Sequence, residues 1–127
     1  MERNVLYRAV KDETGRIVSA ASAEVDDKHS NAELTDCATE PEQRGKGLMF
    51  HILSALEADL RERGIMTAYS LARARSVGMN RVFHRLRHEY SGRLVNNCDI
   101  YGQFEDMNIW VKRLDRRSGD EPTRGPA

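Results

Sequence analysis

The chain has little of what marks several specialised protein classes. Its two cysteines are too few for a disulfide framework, and we expect Cys37 and Cys98 to be small core residues. Its 20 acidic residues equal its 20 basic ones, so no net charge attracts nucleic acid or a membrane surface. No apolar run reaches membrane-spanning length, and Met1 is followed by Glu2-Arg3-Asn4 rather than by a secretory leader pattern. The lack of a leader or a membrane span predicts a cytoplasmic protein, and the length of 127 residues predicts one domain.

What the chain does contain is a glycine loop, Arg44-Gly45-Lys46-Gly47-Leu48-Met49, between a strand pattern and a helix pattern. Two glycines let the backbone approach a ligand closely, and the following helix directs unpaired N–H groups at the same point. The loop is therefore either an anion site suited to phosphate or simply a helix entry made of turn residues. The P-loop is excluded because glycine follows Lys46, and the dinucleotide fingerprint because position 50 is Phe50.

Alternation of apolar and polar residues predicts six strands, at residues 5–10, 16–25, 32–39, 65–73, 92–100 and 107–114. Small side chains in the second segment suit a strand packed closely under a helix. The strand, helix and strand between residues 32 and 73 predict a parallel pair, whereas the last two strands are expected to be antiparallel and joined at residues 101–105. Residues 115–127 have nothing to bury and are expected to be a disordered tail after a domain at 1–114.

Two helices are predicted from apolar residues at helical spacing. The first has the stripe Met49, Ile52, Leu53, Leu56 and Leu60, with Gly64 as its C-terminal stop. Its charged residues, among them Glu57, are expected to lie in water. The second is capped by Ser76, and its apolar face is Met79, Val82, Phe83 and Leu86.

Several segments in one order resemble the GCN5-related N-acetyltransferase (GNAT) superfamily. Residues 44–49 resemble its motif A, with Met49 in place of a small residue. Residues 32–39, 41–48, 67–74, 78–80, 94–97 and 105–110 are together similar to β-lysine N-acetyltransferases, over roughly residues 15–114 of the chain. The resemblance implies an α/β (α+β) fold, a mixed and mostly antiparallel sheet flanked by helices in the order β-β-β-α-β-α-β-β. The usual first strand and two helices are absent, so an N-terminally truncated domain is expected.

The resemblance also implies the chemistry. The chain is expected to use acetyl-CoA as co-substrate, without a metal, and to acetylate a small-molecule amine directly in a ternary complex. The expected acceptor is the side-chain amine of β-lysine, whose product is a compatible solute accumulated under salt stress. The cofactor residues carried over are Arg44, Gly45, Lys46, Gly47, Leu48 and Met49 for the pyrophosphate, the backbone of Cys37, Ala38 and Thr39 for the pantetheine arm and thioester, and Asn80.

An amine must be neutral to attack a thioester, so a carboxylate or a water that it orders must take a proton. Glu33 and Asp36 are the candidates. Three positions apart on one strand, they are expected on opposite faces, and we prefer Glu33. Either could instead be a surface carboxylate satisfied by a neighbouring donor. By resemblance, Tyr69, Asn96, Asn97, Glu105 and Asn108 form the amino-acid pocket; otherwise they are turn and strand surface.

Two histidines deserve separate treatment. His84 stands where many family members have a general-acid tyrosine, and a histidine can donate a proton near neutral pH. It is four residues before His88, so the two are expected on one helical face. A metal site there is disfavoured because no third ligand is evident.

Two alternatives to an active enzyme remain open. A truncated chain could be a non-catalytic acetyl-CoA-binding remnant or a dimerisation module, because its strand at 5–10 would be an exposed edge that favours a homodimer. Nucleic-acid binding would use the arginines around the second helix, but neither net charge nor an aromatic stacking platform supports it.

Overall fold

The computed structural model describes residues 4–100 and 102–115, with the backbone alone at 97–100. Besides a three-residue 3₁₀ helix at Pro41–Gln43, it contains six strands and two α-helices. They are β1 (Asn4–Lys11), β2 (Ile17–Asp26), β3 (Asn31–Thr39), α1 (Leu48–Glu62), β4 (Thr67–Arg73), α2 (Val77–Arg85), β5 (Glu89–Ile100) and β6 (Gln103–Arg113). The predicted order is confirmed. The expected tail lies outside the described residues beyond position 115.

The strands form one sheet in the order β1-β2-β3-β4-β6-β5. The predicted parallel pair is confirmed in β3 and β4, which α1 connects, and the other neighbours are antiparallel. The last hairpin is tighter than expected. Ile100 pairs with Gln103, so β6 begins four residues before Met107 because the ladder continues to the turn. β1 is an edge strand, as predicted.

Both helices share one hydrophobic core on one face of the sheet. Leu53, Leu56 and Leu60 of α1 are completely buried, and they belong to the same cluster as Phe83 of α2 and Trp110 of β6. β2 and β3 contribute small residues to this face, so the helix axis can approach the strands closely. The predicted apolar stripes of both helices are confirmed.

The end of α1 is also as predicted. Gly64 takes a left-handed φ of 84°, and the N–H of Ile65 donates to the carbonyl of Leu60 at 2.9 Å. The N–H of Gly64 donates to Arg61 at 3.0 Å, which completes a Schellman motif. At the start of α2, the Ser76 hydroxyl accepts from the N–H of Met79, which confirms the predicted cap.

Two side-chain predictions are wrong. Glu57 is 2% exposed rather than in water, because its carboxylate accepts hydrogen bonds from Lys112 Nζ and pairs with His88 Nε2, each at 2.7 Å. His88 and His84 do not share a helical face. α2 ends at Arg85 and the chain turns, so His88 is buried at the start of β5 while His84 stays exposed.

Candidate functional site

Strands β3 and β4 separate in the middle of the sheet. Their parallel pairing runs from Asn31↔Thr67 to Glu33↔Tyr69 and stops there. A cavity of about 180 Å³ opens where they diverge. Its lining includes Leu34, Asp36, Cys37, Leu71, Met79 and Phe83. Backbone groups that a ladder does not pair need another partner, so the strand edges facing this gap are available to a ligand.

The glycine loop lies between the end of β3 and the first turn of α1. Gly45 and Gly47 have φ angles of 81° and 76°, a left-handed conformation that residues with a side chain rarely adopt. Gly47 is the N-cap of α1, and none of the described side chains caps the helix. The N–H groups of the first turn therefore lack intrahelical partners, and with the helix dipole they favour an anion. The backbone at residues 44–49 has the form that the predicted phosphate site requires.

The side chains of this loop are divided between solvent and core. Lys46 is exposed, and its Nζ donates to Gln43 Oε1 at 2.9 Å. Arg44 is exposed on an extended backbone. Met49 is 8% exposed and belongs to the hydrophobic core. Met49 can therefore replace the small residue of the motif, because its side chain packs beneath the helix and leaves its amide in the first turn.

A bulge in β3 overturns the expected separation of the two base candidates. Asp36 has a left-handed φ of 54°, and β3 places Asp36 and Cys37 opposite the single residue Ala21 of β2. The extra residue resets the alternation of side chains. Asp36 Oδ2 accepts a hydrogen bond at 3.1 Å from the hydroxyl of Ser22, a residue whose cross-strand partner is Thr35. Asp36 thus lies on the same side of the sheet as Glu33.

That side, away from the helices, carries a row of polar residues beside the gap. Glu24 of β2, Glu33 of β3 and Tyr69 of β4 are cross-strand neighbours in one register. Burial raises the pKa of Glu33, and the carboxylates of Glu24 and Asp36 raise it further. Burial likewise raises the pKa of Tyr69, with Glu33 as the next cause. A carboxylate with a raised pKa is a better proton acceptor near neutral pH.

Glu105, predicted to bind the substrate, is held by an arginine. The Arg73 guanidinium donates two hydrogen bonds to its carboxylate, one of them from Nε to Oε1 at 3.0 Å. The hydrogen bond from Arg73 is the first cause of a lowered pKa at Glu105. Since Arg73 lines the cavity, the buried Glu105 fixes the orientation of a cation at its rim.

Asn80, predicted to contact the cofactor, is the centre of a hydrogen-bond network inside the protein. Its Nδ2 donates to the carbonyls of Arg73 at 2.9 Å and Ser76 at 2.7 Å. Its Oδ1 accepts from Asn108 Nδ2 and Trp110 Nε1, both at 2.9 Å. These four bonds use the full capacity of the amide. Asn80 and the predicted pocket residue Asn108 therefore join α2 to β4 and β6 behind the cavity wall.

The other predicted residues are dispersed. Asn96 has a φ of 50°, and its N–H donates to Asp106 Oδ1 at 2.9 Å in the β5–β6 hairpin. The side chain of Asn97 lies outside what the structure describes. His84 is exposed on α2 and does not line the cavity as described.

At the end of β3, Cys37 borders the gap and is half-buried. Burial, followed by the charge of Asp36, raises the pKa of the Cys37 thiol to about 12. Ala38 pairs with Ala20 of β2, and the Thr39 hydroxyl lies 2.8 Å from the Ser19 hydroxyl. The β2 side of this segment is thus occupied, whereas its other edge faces the gap.

Sequence reasoning missed Ser22 and Glu24. Ser22 is 1% exposed, and nothing in its own segment distinguishes it from the small residues around it. Glu24 could have been found only from the strand register: counting outward from the turn at residues 27–30 places it opposite Glu33. Periodicity alone does not supply that register.

Two further findings concern metal ligands and helix length. Across residues 4–100 and 102–115 there is no group of three or more histidine, cysteine or acidic side chains arranged to hold a metal ion. Within the same ranges, neither helix is long and apolar enough to cross a membrane.

Known proteins resemble the chain in both sequence and fold. The sequence model of the acetyltransferase (GNAT) family matches residues 2–87. The chain is 52% identical over 114 residues to a β-lysine N(6)-acetyltransferase of Methanosarcina mazei, and this covers 90% of the chain and 42% of the relative. It is 45% identical to the N-acetyltransferase YodP of Bacillus subtilis, covering 90% of the chain and 41% of that protein. The chain thus spans about two fifths of the length of these curated relatives.

Solved structures share the fold at low sequence identity. The ribosomal-protein-S18-alanine N-acetyltransferase of Escherichia coli superposes with a TM-score of 0.79 at 19% identity, covering 95% of this chain and 76% of that one. The spermidine/spermine N-acetyltransferase SpeG of Vibrio cholerae gives 0.77 at 16% identity, covering 87% and 67%. The mixed, mostly antiparallel fold class is confirmed.

Proposed function

The chain belongs to the acetyltransferase (GNAT) family, and from this premise we propose that it transfers the acetyl group of acetyl-CoA to the side-chain amine of β-lysine. Similarity to two curated relatives named β-lysine N(6)-acetyltransferase supports β-lysine as the acceptor. The product would be a compatible solute, which assigns the reaction to salt adaptation in the cytoplasm.

One observation carries the proposal: the edge of β3 is open towards the cavity, and the glycine loop that follows β3 leads into an α1 N-terminus without a side-chain cap. Acetyl-CoA has a diphosphate at one end of its pantetheine arm and a thioester at the other. The N–H groups at residues 44–49 suit the diphosphate, and the β3 edge facing the cavity suits the amide-bearing arm. Lys46 and Arg44 add positive charge on the solvent side of the loop.

Acetyl-CoA supplies the activated acyl group as a thioester; the protein supplies a proton acceptor and a polar backbone. Glu33, whose pKa is raised by burial and by two carboxylates, takes the proton that the attacking amine must lose. The new C–N bond forms first, and the C–S bond breaks afterwards, with the sulfur leaving as a thiolate. Backbone N–H groups on the β3 edge stabilise the oxyanion between the two events. The leaving thiolate takes a proton from water.

The row beside the gap also suits the charge of the acceptor. Glu24 and Glu33 face each other across β2 and β3, so two acidic side chains lie side by side next to the gap. Their negative charge favours a diamine that is cationic at neutral pH. Tyr69, next in the row, offers a hydroxyl to the same ligand.

The test is calorimetric titration of acetyl-CoA followed by turnover on an amine panel that includes β-lysine, lysine and spermidine. We expect micromolar binding, turnover highest with β-lysine, and loss of at least about 100-fold in kcat for Glu33→Gln. Glu13→Gln is the matched control, because it makes the same change at an exposed carboxylate in the β1–β2 turn. Binding without turnover on any amine would refute the catalytic proposal.

A second candidate follows from the edge position of β1. Its outward row of N–H and C=O groups can pair with another chain, so the protein could be a dimerisation or acetyl-CoA-binding module without turnover. Light scattering with and without acetyl-CoA tests it. A monomer that turns over β-lysine excludes this candidate.

A further inference from the structure

The bulge in β3 is built from a residue type that rarely adopts its backbone conformation. Asp36 has a φ of 54°, the left-handed region, where glycine is the usual occupant and Asn and Asp are the most frequent alternatives. A bulge whose first residue is left-handed normally has glycine at that place. Asp36 therefore occupies a glycine-type position at the mouth of the gap.

A buried hydroxyl stabilises this conformation from the neighbouring strand. Ser22 is 1% exposed, and its Oγ lies 3.1 Å from Asp36 Oδ2 and 3.3 Å from the carbonyl of Thr35. The hydroxyl thus contacts both the side chain of the bulge residue and the backbone just before it. Cys37, the second residue of the bulge, lines the cavity, and Ala38 resumes the pairing with β2.

We propose that Asp36 is a positioning residue and not the proton acceptor, and that its contact with Ser22 holds the backbone N–H groups of the bulge at the gap, where the thioester would lie. This inference rests on the proposed acetyl transfer. It assigns the base role to Glu33 alone and gives Ser22, a residue outside the family motif, a part in the reaction.

Three substitutions of Asp36 separate a positioning role from the role of proton acceptor. Asp36→Gly and Asp36→Asn remove the charge but keep a residue that accepts a positive φ, whereas Asp36→Ala removes the charge and disfavours that φ. We expect kcat within about threefold of wild type for the first two, and a loss of roughly 10- to 100-fold for Asp36→Ala, as for a misplaced catalytic group. The KM for the amine should change less than kcat.

Ser22→Ala provides an independent test. Alone it should lower kcat about tenfold, because the bulge loses its contact from β2. In the Asp36→Gly background it should have little further effect, about twofold at most, since glycine adopts the conformation unaided. The control pair is Ser30→Gly and Ser30→Ala. Ser30 has a φ of 55° in the β2–β3 turn, so its alanine variant should unfold at a lower temperature than its glycine variant while kcat stays unchanged.

The outcomes are distinguishable. A wild-type chain that binds acetyl-CoA but acetylates no amine refutes the proposed function. An active wild type whose Asp36→Gly and Asp36→Asn variants lose at least about 100-fold in kcat, the effect of removing a base, overturns the positioning role alone. Equal activity of Asp36→Gly and Asp36→Ala overturns it as well.

Discussion

Removing the carboxylate of Glu57 should destabilise the protein far more than its place in a helix suggests. Glu57 is 2% exposed, and its two oxygens are satisfied by His88 and Lys112 at 2.7 Å each. Lys112 also donates to the carbonyl of Leu86, so one ion network joins α1, the end of α2 and β6. Breaking a buried pair on one side leaves a desolvated charge and costs about 3–5 kcal/mol. For a domain of this size each kcal/mol corresponds to roughly 4 °C, so Glu57→Gln should lower Tm by about 12 °C or more.

Thermal unfolding followed by circular dichroism measures this change, and Asp59→Asn is the matched control. Asp59 lies two residues along the same helix and pairs with Arg8 on the surface, where the loss should be about 0–1 kcal/mol. A Tm for Glu57→Gln within about 4 °C of wild type, equivalent to about 1 kcal/mol, would refute the reasoning.

The pH dependence gives the same prediction a second readout. Burial alone would raise the pKa of Glu57, but the hydrogen bonds from His88 and Lys112 outweigh it and hold this pKa below its ordinary value of 4.5. A depressed carboxyl pKa stabilises the fold above the unfolded-state pKa, and this contribution is lost as the pH falls through the folded-state pKa. The difference in stability between wild type and Glu57→Gln should therefore be full at neutral pH and shrink below about pH 4.5.

Further predictions concern the gap. Because its thiol pKa is about 12, Cys37 should react slowly with iodoacetamide at pH 7.5. Cys37→Ala should keep kcat within about threefold of wild type. An acetylated Cys37 in quenched turnover samples would contradict direct transfer. Asn80→Ala should shift the fluorescence of Trp110, the single tryptophan, and cost about 1–3 kcal/mol because the buried indole N–H loses its acceptor; unchanged emission would count against this network. Glu24→Gln removes a charge that raises the pKa of Glu33, so the acidic limb of kcat/KM should move to lower pH, and a limb that stays in place would contradict Glu33 as base.

Features that depend on one segment at a time could be predicted from the sequence. The stripe of α1, the cap at Ser76 and the stop at Gly64 follow from spacing and local chemistry, and each is present. The glycine loop belongs to this class too, because Gly45 and Gly47 require their backbone angles wherever they occur in such a turn.

Features that depend on two segments at once could not be predicted from the sequence. The burial of Glu57 needs hydrogen-bond partners that are 31 and 55 residues further along the chain. The bulge at Asp36 inserts one residue into the alternation of β3, so counting positions from Glu33 gave the wrong face. Asn80 carries no signal that all its hydrogen bonds stay within the protein, because its partners lie on β4 and β6.

The early end of the β3–β4 ladder means that a ligand in the gap can substitute for a length of missing strand. Recognition through main-chain groups does not depend on which side chains stand along those strands, provided that the two strands keep their separation. What such a gap requires of its side chains is therefore that they hold the path of the backbone, as the contact between Ser22 and Asp36 does at the bulge.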